Sequence, residues 1–174
     1  MSSKTWWLPA VAPLLEQGDL IHTSVIFQPV TPVKYLTRSG TSKKLRQLWE
    51  ESPEIPESAD ENTRIVGTVT TGLALVLSYG CEIDKPRKPV LLAPVYALES
   101  LNGDLALVLA QSVPRYLPLV DLPGGGAGYA SLGRTFSIQQ STITSSDRLK
   151  SMTPEGILRV QAQLIGFYTR LPLL

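Results

Sequence analysis

The chain has 174 residues, 43% of them hydrophobic and 18% charged, and its sixteen Lys and Arg against fifteen Asp and Glu leave a formal charge of +1. That size and balance suit one compact domain spanning 1–174 and exclude a disordered class. The near-zero charge excludes a global pull towards nucleic acid, so any RNA contact must rest on a local patch. One cysteine and one histidine allow no intramolecular disulfide and supply too few soft ligands for structural zinc. The expectation is a cytoplasmic protein with no metal and no cofactor.

Residues 1–16 read as an N-terminal arm. Its apolar patch from Trp6 to Leu15 is short and broken by Pro9 and Pro13, which argues against a signal peptide or membrane span. Trp6 and Trp7 are expected to pack against the domain or a second subunit. Gly18 and Asp19 then supply turn chemistry before "LIHTSVIFQPV", whose β-branched and aromatic residues predict a first strand. Residues 32–64 interrupt the pattern as a long charged insertion. Within it, "TSKKLRQLWEE" offers Ser42 as N-cap and Leu45, Leu48 and Trp49 at helical spacing, predicting a short helix. Lys34, Arg38, Lys43, Lys44 and Arg46 precede Glu50, Glu51, Glu54, Glu57, Asp60 and Glu61, so the two halves are suited to pair.

From Ile65 the pattern returns to strands: "RIVGTVTTG", "LALVLSYG" and "KPVLLAPVYAL", bounded by Gly or Pro. The continuous apolarity of "LALVL" and "VLLAPV" predicts strands buried on both sides or strands of a tightly closed barrel. "DLALVLAQSV" lacks a decisive period and is read as a strand. "RYLPLV" leads into Gly124, Gly125, Gly126 and Gly128, which lack the following helix and Lys-Ser or Lys-Thr pair of a phosphate loop and read as a hairpin connection. "RTFSIQQ" is the expected last strand. Over 152–170 the pattern predicts a helix, with Thr153 as N-cap, Pro154 at the first position and Glu155 in the first turn. Ile157, Val160, Leu164 and Phe167 form its inner stripe, widened by Leu158 and Ile165, and Arg170 lies in its last turn. The whole is a mainly β domain with α additions: a small antiparallel barrel over 17–140, a long early insertion and a C-terminal helix.

The chemistry-bearing residues are few. Ser78, Cys81, Glu82, Asp84 and Lys85 fall within one polar segment between two apolar strands. Lys85, Arg87 and Lys88 would favour a thiolate at Cys81, and the carboxylates would suit acid and base roles. The same segment equally fits an exposed turn around a small buried thiol, and it is taken as a recognition or structural loop. His22 is the default general acid or base, on a strand where it alternates with Ile21. Arg115 and Arg134, with Tyr116, Tyr129 and Phe136, have the composition of a surface for stacking bases and binding phosphate.

"EQGDLI", the long loop, "GLALVLS", a polar turn and "VLLAPV" together resemble the opening of PemK/MazF-like toxins, over roughly Gln17 to Leu98. The "CEIDK" turn and the C-terminal "RLKSMTPEGILRVQAQLIGFYTR" resemble a divergent branch with a similar barrel. The resemblance implies an SH3-like barrel and metal-independent RNA cleavage, by an arginine before the "VLVLS"-type strand and a hydroxyl residue after the "VxVxPI"-type strand. Here no arginine stands nearer than Arg64, and Tyr96 occupies the hydroxyl position. Two readings follow. One is a non-catalytic or degenerate binding module for a protein or nucleic-acid partner, with Ser78, Cys81, Glu82, Asp84, Lys85 and Tyr96 as binding candidates. The other is a divergent toxin-antitoxin-type endoribonuclease in which His22, Arg64 or Arg134 replaces the usual pair. RNA, a protein partner or antitoxin, and a second copy of the chain are the partners in view; a membrane is not.

Overall fold

The computed structural model describes residues 6–29, 35–38, 49–52, 64–65, 67–83, 88–101, 105–109 and 113–169. Contacts divide the chain into two units, one formed by Met1–Val25 with Thr71–Leu174 and one by Ile26–Thr70. The second contains the expected insertion 32–64. There β2 (Tyr35–Arg38) pairs antiparallel with β3 (Trp49–Ser52) and with β4 (Arg64–Ile65), in the order β3-β2-β4. The register sets Thr37 opposite Glu50 and Arg38 opposite Trp49, so the backbones of 35–38 and 49–52 pair without setting a basic residue directly opposite an acidic one. The helix expected over 41–51 is overturned at its end, because Trp49, Glu50 and Glu51 are in a strand. Cross-strand pairing overrides a weak local helical period; residues 41–48 lie outside the described residues.

The larger sheet contains β1 (Leu20–Pro29), β5 (Gly67–Val76), β6 (Pro89–Ala97), β7 (Tyr116–Val120), β8 (Ala127–Ser131), β9 (Phe136–Gln139) and β10 (Arg148–Lys150). Its order is β10-β1-β5-β6-β8-β7, with β9 also on β6. The architecture is mainly β and antiparallel with a C-terminal helix, as the residue pattern predicts. β6 carries most of the organisation. Leu92 to Val95 pair with β5 on one edge, while the other edge takes β9 at Pro89 to Leu92 and β8 at Val95 to Ala97. A 3-10 turn at Leu132–Arg134 joins β8 to β9, letting two short strands share one edge.

The apolar runs are buried on both faces, as expected. Leu75, Leu77, Ala93 and Val95 belong to one core cluster with Leu20, Leu117, Leu119, Ala130 and Val160. Ala74, Val76, Val90 and Leu92 point to the other side with Ile21 and Ile83. Consecutive Leu20 and Ile21 reach different clusters because successive strand residues point to opposite faces, while β10 carries an irregularity between their partners Lys150 and Arg148.

Four expectations are corrected. "RIVGTVTTG" and "LALVLSYG" are not two strands divided at Gly72: β5 runs through that glycine, which weakens a strand without turning it. "LALVL" of the second such run is a helical turn, α2 (Leu105–Leu109), with Val108 buried on Leu98 and Tyr129 while Leu107 and Leu109 stay exposed. The glycine-rich segment is indeed a hairpin connection, but it ends early. Asp121 (φ 52°) and Gly124, Gly125 and Gly126 (φ 85–93°) make the turn, and "AGYAS" is strand β8. β9 is not the last strand, since "RLK" forms β10 against β1.

The terminal helix, here α3 (Pro154–Thr169), is as drawn on its inner side. The Gly156 N–H donates to Thr153 Oγ1 at 3.2 Å, and Ile157, Val160, Leu164 and Phe167 meet the core. Leu158 and Ile165 do not widen that stripe; they are 63% and 61% exposed. Gly156, Gln163 and Gly166 occupy the inner positions instead. Gln163 is 1% exposed, and its Nε2 lies 2.9–3.1 Å from the carbonyls of Val113, Pro114 and Tyr116, tying the helix to the start of β7. Arg170 lies outside the described residues.

The arm packs as expected. Trp7 bridges to Met152 and donates from Nε1 to the Val120 carbonyl at 2.6 Å, while Arg159 lies 5.0 Å over the Trp6 ring. Backbone bonds from Leu8 to Ser151 and from Thr153 to Trp6 close the seam.

Candidate functional site

The Gly-Asp strand start is a structural device. Gly18 has φ +86° and a Cβ there would sit 3.0 Å from that of Met152, so only glycine fits. Asp19 is buried with its Oδ2 accepting from Arg148 Nε at 3.0 Å, Arg148 Nη2 at 2.7 Å and the Glu16 N–H at 3.1 Å. Arg148 also donates to the carbonyls of Leu14 at 2.6 Å and Pro13 at 3.3 Å. The pair pins the arm to β10. Neighbouring Gln17 donates to the Leu77 carbonyl at 2.7 Å and accepts from Gln161 at 3.0 Å.

Of the sequence-derived binding residues, Ser78 and Tyr96 do not share one site. Ser78 is buried just past β5, where its Oγ accepts from the Leu91 N–H at 2.9 Å. Its role is to hold the start of the connection to β6. Cys81 and Glu82 lie in a single helical turn, α1 (Gly80–Ile83), anchored by buried Ile83; Asp84 and Lys85 lie outside the described residues. Tyr96 is at the other end of β6, opposite Tyr129. At ~3.3 Å per residue the five steps from Leu91 to Tyr96 span roughly 17 Å.

Tyr96 belongs to a different cluster. Its ring lies 5.6 Å from Tyr129, which meets Tyr116 edge-on at 4.9 Å, and the Arg115 guanidinium stands 4.8 Å over the Tyr116 ring. The hydroxyls of Ser100 and Tyr129 are 3.4 Å apart. Tyr129 is buried beneath; Tyr96 and Tyr116 are half-buried and Arg115 is exposed. β6, β7 and β8 place the three rings, because Tyr96 faces Tyr129 and Tyr116 lies at the start of the adjoining strand. Of the arginine-aromatic set expected from the sequence, Arg115, Tyr116 and Tyr129 come together. Arg134 is exposed on the 3-10 turn after β8, and Phe136 packs into the opposite core cluster.

Of the catalytic candidates, His22 and Arg134 do not share a cavity. His22 is exposed while Ile21 is buried, as alternation predicts, and His22 lines a cavity of about 330 Å³ with Ile21, Thr23, Ile138, Gln139, Thr142, Ile143 and Asp147. Arg64 is in β4 of the other unit and Arg134 does not line this cavity. Asp147 is the residue that sequence reasoning missed. Its Oδ2 accepts from the Thr144 N–H and the Thr144 hydroxyl, each at 2.7 Å, and these bonds hold its carboxyl below the usual aspartate range. The charge of His22 adds a smaller pull in the same direction. The Thr-x-x-Asp spacing of Thr144 and Asp147 was a readable signal for a capped turn. No protein-family model matches the chain, and no curated protein matches it.

Proposed function

We propose that this chain is a non-catalytic binding module, a degenerate SH3-like relative of PemK/MazF-like toxins, that holds single-stranded nucleic acid on Arg115, Tyr116, Tyr129 and Tyr96. The observation that carries the reading is the gathering of three tyrosines and one arginine at the Ala97 end of β6. Half-buried rings offer π-faces to unpaired bases, and an exposed guanidinium offers a phosphate contact. Metal-independent RNA cleavage needs a cation where charge develops on the phosphate. The cavity holding His22 is lined instead by a carboxylate, with no Lys or Arg among its described lining residues.

Fluorescence anisotropy with a labelled ten-nucleotide single-stranded RNA tests this. Binding is expected to weaken about tenfold in Tyr116→Ala and in Arg115→Ala, since one stacked base contributes about 1–3 kcal/mol. Wild-type protein that binds no single strand, or that binds equally after both changes, overturns the reading. The endoribonuclease alternative rests on His22 and Asp147 sharing a cavity, as an acid-base pair would. RNA cleavage lost in His22→Ala would establish it in place of the binding module.

A further inference from the structure

At the other end of β6 a second site stands on its own observations and does not depend on the nucleic-acid reading. Ile138 pairs with Val90 and Gln139 with Pro89, so the His22 cavity lies about six residues of β6 away from the tyrosines, roughly 20 Å. We infer that this cavity binds an alkyl cation, an ammonium or guanidinium carried on an apolar stem.

Three features converge. The walls are Ile21 from β1, Ile138 from β9 and Ile143 from the turn that follows, enough apolar surface for an aliphatic stem. The volume of about 330 Å³ sits at the small end of ligand pockets. Asp147 places a carboxylate there, fixed by both donors of Thr144 and kept ionised by them. The nearest arginine in sequence, Arg148, does not neutralise it: its guanidinium is committed to Asp19 and to the carbonyls of Pro13 and Leu14. The other described lining groups on β1 and β9 are His22, Thr23 and Gln139, and no lysine or arginine is among the described lining residues. A carboxylate over isoleucine walls, with His22 the one basic group among the described lining residues, is complementary to a cation with an apolar stem and unfavourable to a phosphate. Thr142 and Gln139 add neutral acceptors for the remaining N–H groups of such a head.

The chain's single histidine makes the test direct, because its ring signals in a proton NMR spectrum belong to His22 alone. Titration of the wild-type protein with n-butylguanidinium and n-butylammonium should shift those signals saturably. The neutral isostere n-butylurea should bind at least tenfold more weakly. Asp147→Asn should weaken the cations tenfold or more and leave the urea unchanged, while Leu158→Ala on the outer face of α3 should alter neither. Tighter binding of N-acetyl-arginine methylamide than of butylguanidinium would identify a peptide side chain as the source of the cation; the reverse order would identify a free amine or guanidine, and either supports the site. Equal binding of urea and cation to wild type, or no shift at tens of millimolar, overturns the proposal without requiring that the variant fold.

Discussion

Asp19 and Arg148 are separated by 128 intervening residues, yet they pair through Asp19 Oδ2 in a nearly dry site, with 1% and 7% of their side chains exposed, while Asp19 Oδ1 is buried without a hydrogen-bond partner among the described residues. A buried ion pair gains little over a well-packed apolar pair, but breaking one partner leaves an orphaned charge. Arg148→Met should therefore lower unfolding stability by about 3–5 kcal/mol in urea titration, and Arg148→Met with Asp19→Leu should recover much of that loss. A single variant as stable as wild type would show that the pair does not pin the arm. Asp147 acts at the same scale but through pH. Its folded-state pKa is depressed, so the stability it contributes is present above the ordinary aspartate value of about 3.9 and disappears as pH falls through the lower folded value. The stability gap between wild type and Asp147→Asn should thus be present at about pH 5 and shrink as pH falls below about 4; a gap that persists undiminished at about pH 2 would contradict this.

At the scale of elements, α3 offers the sharpest contrast. Val160 is fully buried against Leu20 and Leu117, whereas Leu158 projects outward. Val160→Ala should cost on the order of 2 kcal/mol, from two lost methyl groups and the gap they leave, and Leu158→Ala should stay within about 0.5 kcal/mol, both read by thermal unfolding. Gly18→Ala should cost more than a loop glycine ordinarily does, because it meets both a left-handed backbone and the Met152 side chain. The inner stripe of α3 was legible in the residues because capping and a 3.6 period agree. β6 was legible because its apolar run is continuous, and β5 only in part, since its strand runs on through Gly72. α2 was not legible, since a five-residue apolar run fits either a strand or one helical turn, and only its packing on Tyr129 decides. β10 escaped for a related reason: three residues carry no period, and what makes them a strand is β1, far away in the chain. The sites fared likewise. Tyr116, Tyr129 and Arg115 were named together from composition, but Asp147 joins His22 only through a turn between β9 and β10 that no local pattern links to β1.

For the molecule as a whole, the balance of charge shapes any association with nucleic acid. With a formal charge of +1 and Arg115 as the cation of the tyrosine cluster, only one or two phosphates can be neutralised. The logarithm of the binding constant should then fall against the logarithm of salt concentration with a slope of about −0.7 to −1.4, measured on single-stranded RNA between 50 and 200 mM. A slope several times steeper would require a basic surface other than the one at Arg115. No helix among the described residues is long and apolar enough to cross a membrane.

The seam between the arm and residues 148–159 also sets an order of events during synthesis. Asp19 leaves the ribosome 129 residues ahead of its partner Arg148, and Trp7 and Gly18 likewise emerge long before Met152. Until those late residues emerge, β1 lacks its edge partner β10 and Trp7 has no cover. A nascent chain stalled after residue 147 should therefore remain sensitive to protease along its first strand, and resistance should appear abruptly once α3 clears the exit tunnel.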